Sequence, residues 1–283
     1  MAGRINKRRH LRFPGFKQKA LTLSYDDGVK QDRRLIELMQ KYGVKGTFNI
    51  NSGLYAKVTG GTGNRLTLEE CKELYLNSGM EVAVHGYRHA KILELSSDKQ
   101  VLEVIKDREE LEKTYDRIIQ GMAYAYGDYN DELVEILKLC GIKYARTTIS
   151  NENFDIPTDF LRLPATCHHK NAKLFELLEE FLKPEEEQYI RRNPRLFYLW
   201  GHSYEFDNDN NWNVIEEFLS KVGNRDDVWY ATNMEVYDYV QAYDNLVFSL
   251  DGKTVYNPSA IDVYLDYYGY NVIKPGETKK FEE

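Results

Sequence analysis

Cysteine is scarce in this sequence, long apolar runs are missing, and the N-terminal residues do not show the pattern of a secretory signal. The 283 residues include three cysteines, Cys71, Cys140 and Cys167. This odd, scattered set argues against a disulfide framework and suits a reducing compartment. No apolar stretch approaches the roughly 20 residues of a membrane span, and the N-terminus lacks the apolar segment and small-residue cleavage site of a secretory signal. We therefore expect a cytoplasmic protein without a membrane partner.

An excess of positive charge is also missing. The formal net charge is −7 and the pI is near 5.5, which argues against a nucleic-acid partner. Basic side chains gather around the N-terminal arm, residues 1–18, at Arg4, Lys7, Arg8, Arg9, Arg12, Lys17 and the adjoining Lys19. We interpret this arm as a solvated tail. The sequence leaves open whether the protein forms a homo-oligomer.

Strand patterns alternate with amphipathic helix patterns along most of the chain. Apolar residues make up 42% of the sequence, enough for the core of one large α/β domain with an annex. The predicted strands are residues 20–25, 46–50, 80–84, 122–126, 143–147, 196–200 and 228–230. Regular alternation predicts parallel strands with right-handed crossovers, hence a barrel or a doubly wound sheet. In either fold, functional residues gather at the carboxyl ends of strands.

Helix boundaries are marked by glycines and by capping boxes. The segment 31–43 has an apolar face and stops at Gly43. A Ser or Thr followed three residues later by Glu or Gln predicts helix starts at Thr67, Ser97 and Thr232.

The pattern changes after residue 244. Val, Tyr and Thr alternate with polar residues and are interrupted by Asp-Gly at 251–252 and Pro-Gly at 275–276, which is typical of β-hairpins. We predict a small β annex over residues 245–283. It should cover an edge or an end of the main domain, residues 19–244, because so few strands seldom fold independently.

Carboxylates and imidazoles follow three of the predicted strands. Asp26 and Asp27 end the first strand, His85 and His89 follow the third, and His202 follows the sixth. Because the carboxyl ends of neighbouring parallel strands converge, we expect these side chains to share one site. Two imidazoles and one carboxylate form a ligand set that leaves positions open for water and substrate. The pattern therefore predicts a divalent metal site.

The order SYDDG, HGYRH, AYAYG and WGHS resembles the polysaccharide deacetylases of carbohydrate esterase family four, which remove N- or O-acetyl groups from sugars. The family's T-F-D-D-G motif corresponds to residues 24–28, its H-[ST]-x-x-H motif to 85–89, its R-x-P-Y-G motif to 123–127, and its late strand ending in leucine and histidine to 199–202. The resemblance runs from Lys19 to Ala242 and leaves the β annex outside.

This resemblance implies a distorted (β/α) barrel of about seven parallel strands and a role for each residue of the site. It implies that Asp27, His85 and His89 hold the metal. It also implies that Asp26 is the general base and that His202 is the general acid.

The resemblance further implies that the backbone N–H of Tyr126 stabilises an oxyanion, with Gly127 beside it at the substrate. The metal would be Zn²⁺, with Co²⁺, Ni²⁺ or Mn²⁺ as alternatives that accept the same ligands. The implied partner is an acetylated carbohydrate. A soluble glycan fragment or small glycoconjugate suits a chain without a secretory signal better than a wall polymer.

Two departures from the family pattern matter. The third-motif Arg, which pairs with the base in the family, is Ala123 here, and we expect Arg146 rather than Arg162 to supply the guanidinium. The family's D-x-x-D-W motif, whose carboxylate tunes the late histidine and whose Trp lines the acetyl pocket, has no literal match. Its proposed replacements are Glu205, Asp207, Trp212 and the stretch TCHH at residues 166–169.

Two further motifs are weaker. The stretch TGGTGNR, residues 59–65, is Gly-rich but lacks G-K-[ST], so we predict a flexible loop beside the site rather than a phosphate loop. In CHH, residues 167–169, adjacent side chains cannot easily close on one ion. We therefore expect His168 and His169 to line the cleft or contact substrate.

Three functions remain open on the sequence. The leading one is a metal-dependent hydrolase that deacetylates N-acetylated sugars. The second keeps the metal and the barrel but cleaves another bond, as an amidase, a cyclic-amide hydrolase or an O-acetyl esterase. The third is a carbohydrate-binding protein on a decayed enzyme fold, suggested by the missing third-motif Arg. The full set of strand-end residues argues against decay, since a binding module needs no general acid.

Overall fold

The computed structural model describes residues 8–185 and 193–282. A short strand, β1 (Leu11–Arg12), precedes the nine strands of the central sheet, which are β2 (Lys19–Asp26), β3 (Gly46–Ile50), β4 (Glu81–Val84), β5 (Gly121–Ala123), β6 (Tyr144–Ser150), β7 (Leu163–Ala165), β8 (Cys167–His168), β9 (Arg195–Gly201) and β10 (Val228–Tyr230). The described helices are α1 (Asp32–Lys41), α2 (Leu68–Leu76), α3 (Ser97–Tyr115), α4 (Asp131–Leu139), α5 (Leu174–Leu182), α6 (Tyr204–Asn208), α7 (Trp212–Val222) and α8 (Asn233–Asp244).

The parallel strands of the central sheet close into a barrel. Their order is β7-β6-β5-β4-β3-β2-β9-β8, with β10 beside the start of β2. The segment 163–168 pairs with β6 through its first half and with β9 through its second half. One stretch of chain therefore joins the two ends of the sheet. The alternation left a barrel and a doubly wound sheet open, and the α/β barrel implied by the resemblance is confirmed.

All seven predicted strands are present, with ends that shift by a few residues. The prediction missed β7 and β8, which are three and two residues long. Both are too short to show alternation, and Pro164 lies inside β7, where proline argues against a strand. The predicted strand 122–126 also ends early, since β5 stops at Ala123 and a 3₁₀ turn, Ala125–Gly127, follows it.

Two of the three predicted capping boxes are present. At Thr67 and Thr232 the hydroxyl accepts the N–H of the residue three positions later, and a Glu side chain accepts the threonine N–H. The third prediction is wrong, because the N-cap of α3 is Ser96 rather than Ser97. The side chain of Gln100 instead donates to two upstream backbone carbonyls, at 3.1 Å each.

The residues after α8 form two small antiparallel sheets, as the hairpin pattern predicts. The strands are β11 (Val247–Phe248), β12 (Thr254–Tyr256), β13 (Val263–Asp266), β14 (Tyr270–Ile273) and β15 (Thr278–Lys280). β11, β12 and β15 make one sheet, whereas β13 and β14 form the other sheet together with β1.

The N-terminal arm differs from the solvated tail that its charge suggests. Leu11 and Phe13 are fully buried, and Arg12 is nearly so. The Arg12 guanidinium pairs with Asp266 of β13 at 2.7 Å, and the Tyr239 hydroxyl of α8 donates to the Arg12 carbonyl at 2.5 Å. The basic composition predicts a solvated tail, but the apolar side chains between the basic residues pack against the annex. Residues 1–7 lie outside the described residues.

The two faces of β2 have different surroundings. Leu21, Leu23 and Tyr25 belong to the apolar cluster that includes the helices. Ala20, on the opposite face, belongs to a second cluster with Trp200, α8 and the annex. Because side chains alternate along a strand, Asp26 lies on the same face as Ala20. The base predicted from the sequence therefore points away from helices α1 to α7 of the first cluster.

The three cysteines form no disulfide. Cys71, Cys140 and Cys167 are free and buried. Among the described residues, no helix combines the length and the apolar character needed to cross a membrane.

Candidate active site

The strand-end residues lie at one end of the barrel. Asp26 is the last residue of β2, His85 follows β4, and His202 follows β9. β2 is hydrogen-bonded to both β3 and β9, and β3 pairs with β4. The carboxyl ends of four adjacent parallel strands therefore bring these side chains together.

Three residues of the site have a positive φ. The values are 90° at Asp27, 52° at His89 and 60° at Tyr126. Such angles are uncommon outside glycine and cost about 1–3 kcal/mol each, so they persist where the surrounding structure imposes them. Neighbouring glycines, Gly28 at 63° and Gly86 at 81°, share the same backbone region without the penalty of a Cβ. The turns after β2, β4 and β5 are thus held in unusual conformations at the site.

Asp27, His85 and His89 bring three potential metal ligands within reach of one ion. Their ligand atoms lie within 4.8 Å of one another. The Oδ1 atom of Asp27 is 3.7 Å from Nε2 of His89 and 4.0 Å from Nε2 of His85. Donors about 2.1 Å from a shared ion lie roughly 3.4 Å apart in a tetrahedral site, so small side-chain movements suffice.

The protonation of His85 fits a metal ligand. Its Nδ1 lies 2.9 Å from the carbonyl oxygen of Ala123, and a carbonyl only accepts, so Nδ1 carries the proton. Nε2 therefore presents a lone pair, and it is buried without a hydrogen-bond partner among the described residues. Burial lowers the pKa of His85, and burial together with the His85 imidazole lowers the pKa of His89 to about 4. Both imidazoles are neutral near pH 7, as metal binding requires.

Asp26 is held by a buried guanidinium. Nη2 of Arg146 donates to both carboxylate oxygens of Asp26, and the Asn49 amide donates to Oδ1 at 2.8 Å. The guanidinium also lies 4.4 Å from the ring centre of Trp200, a favourable cation–π contact. Burial alone would raise the pKa of Asp26, but Arg146 and the neighbouring imidazoles hold it well below its ordinary value. Asp26 is therefore ionised at neutral pH.

His202 faces Asp26 across the site. Its Nε2 is 3.9 Å from Oδ2 of Asp26, and its Nδ1 is 3.2 Å from Oε2 of Glu205. Because the Glu205 carboxylate accepts, Nδ1 carries a proton and Nε2 faces the site. Burial lowers the pKa of His202, but Glu205 and Asp26 outweigh it and raise this pKa above its ordinary value.

Glu205 is surrounded by hydrogen-bond donors. Nε2 of His168 lies 3.2 Å from its Oε2, and the Lys170 ammonium lies 3.1 Å from its Oε1. Nε2 of His169 lies 3.4 Å from Oε2 but makes no hydrogen bond to a described residue. Burial raises the pKa of Glu205, but hydrogen bonds from His168, His202 and Lys170 hold it far below its ordinary value. The carboxylate is therefore ionised and fixed beside His202.

His168, His169 and Glu205 also lie close enough to share a metal ion. The hydrogen bonds of His168 and Glu205 argue against it. The Lys170 backbone N–H donates to Nδ1 of His168 at 3.1 Å, so Nε2 carries the ring proton and donates to Glu205. A protonated nitrogen cannot bind a metal, and the Lys170 ammonium already places a positive charge on the same carboxylate. His168 and Lys170 are therefore donors around the Glu205 anion.

Tyr126 and Gly127 lie in the 3₁₀ turn after β5. The Tyr126 side chain is 57% exposed, and its ring meets the His89 imidazole edge-on at 4.5 Å. At Gly127, which has φ of 78°, a Cβ atom would come within 2.2 Å of Oγ1 of Thr148. Close packing against β6 therefore requires glycine here and holds the turn beside His89.

His169 and Trp212 lie behind the site, although the sequence suggests that they contact substrate. His169 is 2% exposed and packs against Phe206 at 4.2 Å between ring centres. Gly201 makes room for it, since a Cβ there would lie 2.1 Å from Nδ1 of His169. Trp212 packs on the same Phe206, and its indole N–H donates to Asp207 at 2.7 Å. These contacts do not support a cleft-lining role for either side chain.

Sequence reasoning missed several polar residues that contact the predicted base or the predicted metal ligands, namely Asn49, Asn51, Arg65 and Asp107. Asp107 of α3 is fully buried and accepts the backbone N–H of His85 at 2.9 Å. Asn49 and Asn51 stand two residues apart at the end of β3. This spacing was a usable signal, because it places both amides on one face of the strand end. Asp107 gives no comparable signal within its helix.

Fold and site together define an α/β barrel with a charged, metal-competent site at the carboxyl ends of its strands. Residues 14–145 match the family model described as Polysaccharide deacetylase. Over these residues the chain matches the polysaccharide deacetylase family, which confirms the resemblance seen in the motifs. No curated protein matches the chain.

Solved structures extend the comparison. The deacetylase PplD of Streptococcus pyogenes, in complex with acetate, is 27% identical with a TM-score of 0.41; the match covers 45% of this chain and 55% of that one. A provisionally assigned polysaccharide deacetylase from Mycobacterium smegmatis is 18% identical with a TM-score of 0.58, covering 83% and 94%. The Xyl-CE4 domain of a multidomain xylanase from the hindgut metagenome of Trinervitermes trinervoides is 15% identical with a TM-score of 0.50, covering 79% and 92%. The last two share the fold.

Proposed function

We propose that the protein is a metal-dependent hydrolase that removes acetyl groups from N-acetylated sugars or oligosaccharides. The observation that carries this proposal is the position of Asp26, whose Oδ2 lies 3.8 Å from Nε2 of His85 and 3.9 Å from Nε2 of His202. A base, a metal ligand and an acid thus face the same small space. The family match over residues 14–145 supports an acetylated sugar as substrate.

Asp27, His85 and His89 would hold one divalent ion, which we propose to be Zn²⁺, with Co²⁺, Ni²⁺ or Mn²⁺ as alternatives. When bound, such an ion lowers the pKa of a water molecule toward 7 and polarises the acetyl carbonyl. The unpaired lone pair of His85 Nε2 supports this assignment, because a buried acceptor without a donor is costly unless a ligand occupies it.

Asp26 would act as the general base. Its ionised carboxylate takes the proton from the attacking water, while Arg146 and Asn49 fix its orientation. The guanidinium also keeps the carboxylate ionised.

His202 would act as the general acid. Glu205 accepts the Nδ1 proton and leaves Nε2–H toward the site. That proton passes to the departing nitrogen, since an amine is a poor leaving group without it, and the products are a free amino sugar and acetate. The raised pKa of His202 favours the protonated form that this step needs.

The backbone N–H of Tyr126 would donate to the oxyanion of the tetrahedral intermediate, as the family resemblance implies. The positive φ of Tyr126 and the packing of Gly127 against Thr148 support this role, because both hold the turn in one conformation.

Acetate release from N-acetylglucosamine oligomers tests this function. We expect acetate and free amine in equal amounts, and loss of both in Asp26→Asn. Asp131→Asn is a matched control, because it removes a carboxylate that is 96% exposed. Acetylated xylose and cyclic ureides, assayed in parallel, separate the ester and cyclic-amide alternatives. Turnover of acetylated xylose alone would replace the proposal with an esterase, and metal-loaded protein that binds glycans without turnover would replace it with a binding protein.

A further inference from the structure

The Gly-rich stretch 59–65 has no role in the proposed chemistry, yet its last residue reaches the site. Arg65 forms an antiparallel β-bridge beside the turn that carries Asp27. The two backbone hydrogen bonds of this bridge, 3.0 and 3.2 Å long, join residues 64–66 to residues 28–30. The end of this loop is therefore fixed next to the aspartate.

The Arg65 guanidinium connects two of the strand ends. Its Nη2 donates to Oδ1 of Asp27 at 2.9 Å, and its Nη1 donates to the Asn51 side-chain oxygen at 3.0 Å. Asn51 is 2% exposed, and its amide donates to the carbonyls of His85 and Gly86 at 2.8 and 2.7 Å. One planar group thus links the turn of the aspartate to the turn of the first histidine.

The oxygen that Arg65 contacts is also the one that faces the imidazoles, since Oδ1 of Asp27 is 3.7 Å from His89 and 4.0 Å from His85. The guanidinium can therefore change the affinity for a metal ion in two opposite ways. A partner that orients a ligating carboxylate strengthens binding, typically by about 10–100-fold. A bare positive charge beside the site repels the incoming dication and weakens binding.

We propose that Arg65 is a positioning residue of the metal site. It holds Asp27, and through Asn51 the turn that carries His85, in the ligating arrangement, and so strengthens metal binding. The bridging geometry favours orientation over simple charge, because both Nη atoms are committed to acceptors around the ligands. This inference rests on the proposed function only in requiring that Asp27, His85 and His89 bind a divalent ion.

The test is Zn²⁺ affinity, measured on the full chain by competition with a chromophoric chelator. Arg65→Met should weaken binding by about tenfold or more at unchanged stoichiometry. The Zn²⁺ affinity of Arg65→Lys should lie between those of Arg65→Met and wild type. Lysine can donate to Asp27 but cannot also bridge to Asn51. Arg33→Met is the matched control, because it makes the same charge change at a residue that pairs with Glu70. Its affinity should equal that of wild type.

An unchanged affinity in Arg65→Met would overturn the proposal, and a tighter one would show that the guanidinium acts only as a repelling charge. The unfolding midpoint in excess chelator shows whether each variant folds. If Arg65→Met does not fold, Arg65→Lys decides alone, since it keeps the charge and loses the bridge. Wild-type protein that binds no Zn²⁺ would overturn the proposed function together with this role. If the wild-type protein binds Zn²⁺ and the Arg65 variants bind it with the same affinity, this role alone would be overturned.

Discussion

Arg146 binds Asp26 from the strand next to the one on which the family's R-x-P-Y-G motif carries its arginine. Ala123 of β5 occupies the motif position, and it is the register partner of Arg146 on β6. Arg146 has no exposed surface and donates to both carboxylate oxygens of Asp26. The alternative donor, Arg162, pairs with Asp159 at 2.6 Å instead. The guanidinium has thus moved by one strand around the barrel and still meets the same carboxylate.

Arg146→Ala should abolish turnover and lower the free energy of unfolding by about 3–5 kcal/mol, because it leaves an ionised carboxylate buried without its partner. The double variant Ala123→Arg with Arg146→Ala returns the guanidinium to the motif position, so it should recover part of both losses. Acetate release and urea unfolding measure the two quantities. If the double variant has the same turnover and the same free energy of unfolding as Arg146→Ala, the two strand positions are not equivalent.

Glu205→Gln should move the basic limb of the kcat–pH profile to lower pH. Glu205 raises the pKa of His202, so without its charge the imidazole loses its proton at a lower pH. At pH 8 we expect kcat to fall about tenfold or more, as the general acid becomes deprotonated. Asp209→Asn removes another carboxylate bound to Lys170, at 2.7 Å, and should leave the limb in place. A limb unmoved by Glu205→Gln would mean that His202 is not the group that titrates.

The strand-end positions of Asp26, His85 and His202 could be predicted because they depend on local alternation and on the convergence of parallel strands. The partners of these residues could not, because they come from distant parts of the chain. Arg146 lies 120 residues after Asp26, and Arg65 lies 38 residues after Asp27. The sequence offered two arginines for Asp26 and only the packing of β6 decides between them.

Other features were invisible for local reasons. The positive φ angles of Asp27 and His89 depend on turn geometry that neither residue type demands. Strands β7 and β8 are too short for a periodic signal, although the segment 163–168 closes the barrel. In the N-terminal arm, the many basic side chains predict exposure to solvent. The burial of Leu11 and Phe13 therefore could not be predicted from the charge of this segment.

Asp26→Ala should abolish turnover while metal content stays near that of wild type, whereas His85→Ala should lose both. In the proposed mechanism Asp26 is the base beside the ligand set, and His85 supplies one of the three donors. Elemental analysis after dialysis, combined with acetate release, separates the two roles. His10→Ala is the matched control, since His10 contacts the Asp266 carbonyl in the annex, and it should keep its metal. An empty site in Asp26→Ala would assign Asp26 to the ligands.

Asp32 at the start of α1 should make stability depend on pH. Its buried carboxyl accepts from the Val29 N–H at 3.0 Å and from the hydroxyls of Tyr75 and Ser203 at 2.6 and 2.5 Å. Burial outweighs these donors and raises the pKa of Asp32 to about 7, from an ordinary value of 3.8. Between these values the unfolded chain releases the proton and the folded chain keeps it. The free energy of unfolding should therefore decrease as the pH rises from about 4 to about 7.

Asp32→Asn has no proton to release, so its unfolding free energy should lack this part of the pH dependence. A difference of about 3 pKa units between the folded and unfolded chains changes the free energy of unfolding by roughly 4 kcal/mol between about pH 4 and pH 7. Urea unfolding between pH 4 and 8 measures it, with the exposed Asp226→Asn as the control that should run parallel to wild type. If Asp32→Asn also runs parallel to wild type, Asp32 is ionised throughout. In that case its three donors and the helix N-terminus, which favours negative charge, offset the whole cost of burial.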